Sequence, residues 1–181
     1  MKAGVFLQRI ILLALCCVMG YEAWAMPPAA VSEYELKAAY LYNFALFTTW
    51  PQDRMEERDS PLVFCVFAQD AQAASIAGLQ ARKIRERSIQ VRQVATPDDG
   101  RGCHVLFIGA KSTEVIPSIL EIVRDSGTLT VTDVSDSIRK EAVISMAIEN
   151  GRLAFDVNLY NARRARLTLS SKLLKLARYA N

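Results

Sequence analysis

The chain has 181 residues, 51% of them apolar, and a formal net charge of +3. That length predicts one domain, and the apolar content excludes a disordered chain. Basic and acidic residues nearly balance, so no nucleic-acid partner is expected.

The N-terminus predicts export. Lys2 and Arg9 give a short positive region, residues 10–20 are apolar, and Ala23-Trp24-Ala25 is a small-x-small cleavage signature. This is the plan of a secretory signal peptide over 1–25, leaving a domain over 26–181 in the periplasm. The apolar run is too short for the ~20 residues of a membrane span. Cys16 and Cys17 follow Leu15 and Cys16, where a lipid-attachment site wants a small residue. Both leave with the leader. Cys65 and Cys103 remain, and an even pair in an exported chain is a candidate disulfide, against the alternative of two buried thiols.

Residues 32–50 read as the first helix. Ser32 is a candidate N-cap with Glu35 three positions on, as a capping box requires. The segment is apolar nearly all round and carries Tyr34, Tyr40, Tyr42, Phe44, Phe47 and Trp50, so it belongs in the core or in a contact. Pro51 is expected to end it. Residues 62–67 form a continuous apolar run, a strand buried on both faces. A short helix capped by Asp70 runs to about 79. The basic stretch 82–87 precedes an alternating strand over 88–94. Pro97-Asp98-Asp99-Gly100 is turn chemistry. Another buried strand follows over 103–108. A helix capped by Ser112 runs to about 125, with Pro117 shortening its start and Gly127 beyond its end. Residues 129–132 make a brief strand. The arms 143–149 and 152–158 flank Asn150-Gly151, the favoured two-residue hairpin turn. A long helix is predicted over 159–177.

That order predicts an α/β fold: a single-domain mixed β-sheet sandwiched between helices, with a C-terminal β-hairpin and a long terminal helix. The link 94–103 has no helix. The two strands it joins are therefore antiparallel or not adjacent, because a parallel crossover needs about a dozen residues.

Six segments in order resemble the YfiR family of periplasmic proteins. They are 36–47 (LKAAYLYNFALF) with Trp50-Pro51, 63–66 (VFCV), 103–108 (CHVLFI), 129–133 (LTVTD), 155–159 (FDVNL) and 169–177 (LSSKLLKLA). The resemblance implies a periplasmic regulator: family members of this type repress an inner-membrane diguanylate cyclase through its periplasmic domain, and an outer-membrane lipoprotein can sequester them. Other members sit in different systems, so the resemblance does not name the partner. It also implies a frequent homodimer. Cys65 and Cys103 match the family's first cysteine pair. A second pair would fall near Asp136 to Met146, where this chain has no cysteine.

The expected function is a regulatory binding protein that represses an inner-membrane cyclase or kinase and so controls cyclic-di-GMP. The alternative is a small-molecule binding or sensor subunit of another membrane signalling or transport system. No phosphate-binding glycine loop, serine elbow or His-Glu metal motif stands in the chain. No enzyme, cofactor or metal is expected. His104, the only histidine, reads as an ordinary strand residue. It cannot easily pair with Cys103, because neighbours in a strand point to opposite faces. Candidate partner or ligand residues are Trp50, as an aromatic anchor, and Asp133, at a strand end where α/β sheets hold ligands. Arg163, Arg166 and Lys172 join them from an acid-free basic segment suited to an acidic partner.

Overall fold

Alternation decides the architecture. Along 62–67 the odd and even side chains enter two different apolar cores, so a sheet must separate them. The computed structural model describes residues 32–55, 59–68, 70–109, 114–134 and 140–181, all within one compact unit. The expected leader over 1–25 and the expected cap at Ser112 lie outside the described residues.

Helix α1 spans Glu33–Leu46, and Ser32 and Glu35 form the expected capping box. It stops earlier than Trp50. Thr48 turns its hydroxyl onto the Phe44 carbonyl at 2.7 Å, and Thr48–Thr49 becomes strand β1. β-branched threonines favour this extended state. A short 3-10 turn, Gln52–Arg54, leads to β2, Leu62–Phe67. Helix α2, Asp70–Ala77, begins at Asp70 itself. Strands β3 (Lys83–Ile84) and β4 (Arg87–Gln93) form a tight hairpin from the basic stretch. After the turn Pro97–Gly100 come β5 (Val105–Ile108), α3 (Ile116–Val123) and β6 (Leu129–Thr132). Pro117 sits in the first turn of α3, where its missing N–H costs nothing. Strands β7 (Ile144–Glu149) and β8 (Arg152–Val157) pair around Asn150-Gly151, both at positive φ as the turn demands.

The long terminal helix is not formed. Residues after 158 make α4 (Leu159–Arg164), β9 (Thr168–Leu169), α5 (Ser171–Leu174) and β10 (Tyr179–Ala180). Arg166 takes a φ of 55°, and Leu167 N–H reaches back to the Ala162 carbonyl at 2.9 Å. This is a Schellman stop. It buries Leu167 and pairs β9 with β1 antiparallel. Ser170 then caps α5.

The main sheet runs β10-β8-β7-β6-β5-β2-β4-β3. The run from β4 through β2, β5 and β6 to β7 is parallel, and β8 returns antiparallel. Thus β4 and β5 are not adjacent, because β2 lies between them. One face packs Phe64, Val66, Phe107, Val131 and Phe155 under Leu41 and Phe44 of α1 and Ile76 of α2. The other packs Phe67, Leu106 and Ile108 under Ile116, Ile119 and Val123 of α3. The chain is an α/β protein with a mixed central sheet between helices. Among the described residues no helix is long and apolar enough to cross a membrane.

Candidate functional site

The parallel strands send their carboxyl ends to one edge of the molecule. From β2 the chain crosses to β4 through α2 on one face. From β5 it crosses to β6 through α3 on the other. Strand order reverses between β2 and β5, and such a reversal leaves a crevice beyond the strand ends. Gln72, in the first turn of α2, lies across it. Its Oε1 stands 2.3 Å from where a Cβ on Gly109 would be, so a larger residue after β5 would displace the Gln72 side chain.

Gln72 Nε2 donates to Asp133 Oδ2 at 2.7 Å, and Lys37 Nζ donates to the same oxygen at 2.6 Å. Lys37 also meets Glu33 at 2.5 Å, one helical turn back. The Lys37 and Asp133 side chains are only 10% and 6% exposed. Burial works to lower the Lys37 pKa, but the hydrogen bonds and charges of Asp133 and Glu33 outweigh it and hold it above the usual lysine value. Asp133 Oδ1 is buried with no hydrogen-bond partner among the described residues. Beside it opens a cleft of about 310 Å³ lined by Glu33, Lys37, Asp133, Val134, Met146, Ala147 and Ile148.

Trp50 is placed elsewhere and offers no surface to a partner. It is 6% exposed, its Nε1 donates to the His104 carbonyl at 3.1 Å, and its ring meets the His104 ring edge-on. His104 in turn is architectural. Its Nδ1 accepts the Val63 N–H at 3.0 Å, so Nε2 carries the proton toward the Arg54 carbonyl at 3.1 Å. Burial, together with the charges of Arg54 and Arg87, pushes its pKa down against the pull of the Arg54 carbonyl.

Three of the C-terminal arginines are tied to carboxylates. Arg164 forks onto Asp125, Arg166 meets Asp53 at 2.9 Å, and Arg178 forks onto Asp156 and reaches Glu149. Arg163, Lys172 and Lys175 are exposed and make no ion pair among the described residues. Lys172, Lys175 and Leu176 stand three and four positions apart, on one side of α5 and its end. Leu176 is 72% exposed. So Trp50, Asp133 and the basic residues occupy three separate places. Sequence reading missed Glu33, Lys37 and Gln72 as companions of Asp133. A lysine inside an otherwise apolar helix was the one signal for them.

Cys65 and Cys103 are joined in a disulfide, with Cα atoms 5.8 Å apart. Both are fully buried, on the α3 side of the sheet. The Arg92 guanidinium covers the bond at 3.5 Å from each sulfur and donates to the carbonyls of Asp99 and Arg101 at 2.8 and 2.7 Å. One side chain thus ties the disulfide to the turn after β4.

No curated protein matches the chain. Among solved structures it is similar to a conserved domain protein from Vibrio cholerae, with a TM-score of 0.53 and 11% identity. That match covers 83% of this chain and 60% of the other, so this chain spans less than two thirds of its relative. At that identity the likeness shows the fold alone. An ABC domain from Streptococcus pneumoniae, solved in complex with L-Trp, aligns at a TM-score of 0.48 and 8% identity. That match covers 68% of this chain and 55% of the other and carries no argument. The profile of the YfiR/HmsC-like family matches residues 34–178, from the first turn of α1 to the residue before β10, and the chain therefore belongs to that family.

Proposed function

We propose that the chain is a periplasmic regulatory binding protein that represses an inner-membrane signalling protein, in the first place a diguanylate cyclase. The observation that carries this reading is the family match across nearly the whole described unit. The buried disulfide supports it, because such bonds persist in oxidising compartments. Repression needs no chemistry. Binding that favours the inactive state of the target by a few kcal/mol is enough.

The docking surface of this reading is the unpaired basic face, Lys172 and Lys175 around Leu176, with Arg163 nearby in sequence. An apolar contact rimmed by unpaired cations suits an acidic partner surface. Arg166, already held by Asp53, belongs to the support of that segment. An outer-membrane lipoprotein that captures the repressor, and a second copy of the chain, are the other partners of this reading.

The test is co-purification of the exported chain with a membrane diguanylate cyclase. The wild type is expected to retain the cyclase. Lys172→Glu with Lys175→Glu is expected to weaken retention by about tenfold with folding unchanged. Equal retention by both proteins would remove the basic face from the account, and no retention by either would remove the partner.

A further inference from the structure

We propose that the cleft beside Asp133 binds a small organic ammonium ion. The site uses residues distinct from the basic docking face and stands apart from that reading.

The charge of the cleft selects the sign of the ligand. Glu33 and Asp133 share a single ammonium, that of Lys37. Among the described residues the cluster therefore carries one uncompensated negative charge in a partly buried place, and a monovalent cation brings it to neutrality. The hydrogen bonds select the kind of cation. Asp133 Oδ1 is a buried acceptor with no donor, whereas Oδ2 has two. A buried acceptor without a donor is costly, and an N–H on the ligand supplies what is missing. The walls select its body. Val134, Met146 and Ile148 line the cleft, and Ile148 remains 42% exposed. An aliphatic chain gains there by leaving water, which a bare hydrated ion does not.

Position agrees with the chemistry. The cluster lies beyond the carboxyl ends of β5 and β6, and Gln72 reaches from it to the reversal of strand order. Glu33 lines the same cleft, and its side chain is half-exposed.

The experiment titrates the mature protein with n-butylammonium chloride, using sodium butyrate and n-butanol as controls at equal ionic strength. The readout is the NMR shift of the Val134, Met146 and Ile148 methyl groups. Saturation by butylammonium alone, weakened about tenfold in Glu33→Gln, is the expected result. Glu33 is half-exposed, so that variant keeps the fold. No saturation, an equal response to either control, or an unchanged Kd in Glu33→Gln overturns the proposal. Asp133→Asn, checked for folding by near-UV circular dichroism, is expected to show at least the same loss, and unchanged affinity there overturns it as well. None of these outcomes bears on partner docking, which co-purification reads.

Discussion

His104 accepts the Val63 amide proton on Nδ1, so a second proton on the ring breaks that bond. Its folded pKa is held below the ordinary histidine value by burial. As pH falls below about 6.5, the unfolded chain takes up a proton that the folded chain refuses, and stability is lost. Urea unfolding is expected to show a falling midpoint from pH 6.5 down to the depressed folded value. His104→Asn keeps an acceptor for Val63 and should flatten that part of the slope. An unchanged slope would show that other groups carry it. Lys37 makes the complementary case. Lys37→Met leaves the Asp133 carboxylate buried with Gln72 as its one donor, and a loss of about 3 kcal/mol in urea unfolding is expected. Asp133 was legible as a candidate from its place at a strand end. Its partners were not, because Lys37 lies 96 positions away in sequence and no local pattern announces the pair.

Among the elements, the strands that the sequence announced are those with a strong pattern. The run 62–67 and the strand 129–132 have the expected bounds, and the Asn150-Gly151 hairpin pairs as its turn requires. The failures have two causes. Two-residue ladders such as β1 with β9 have no periodicity to read, and tertiary pairing alone creates them. The Schellman stop at Arg166 was equally silent, since the left-handed position usually carries glycine or asparagine and here carries arginine. Two expected outcomes belong at this scale. Ser32→Ala removes the capping hydroxyl of α1 and should cost about 1 kcal/mol by thermal or urea unfolding. Replacing both Cys65 and Cys103 by alanine opens a loop of sequence separation 38 and should cost roughly 4 kcal/mol in the chain-entropy account. If partner retention survives that loss at low temperature, the bond is a staple. If retention vanishes while the fold persists, the bond has a direct part in binding.

For the whole molecule, the layer architecture followed from the order of elements, and the strand order did not. Placing β2 between β4 and β5 needs the long-range pairings of β2 with both. The same limit applied to function. Family resemblance pointed to a regulatory class, while the division of the surface into a basic face and an acidic cleft came only from seeing which charges were already paired. Three arginines of the C-terminal segment pair with Asp53, Asp125 and Asp156, which leaves Arg163, Lys172 and Lys175 without an ion pair among the described residues.

The direct test of repression is the cyclic-di-GMP level of cells with and without this chain. Deletion is expected to raise the nucleotide, exported wild-type protein to restore it, and the Lys172→Glu, Lys175→Glu protein to leave it high. Levels that stay the same on deletion would contradict the account.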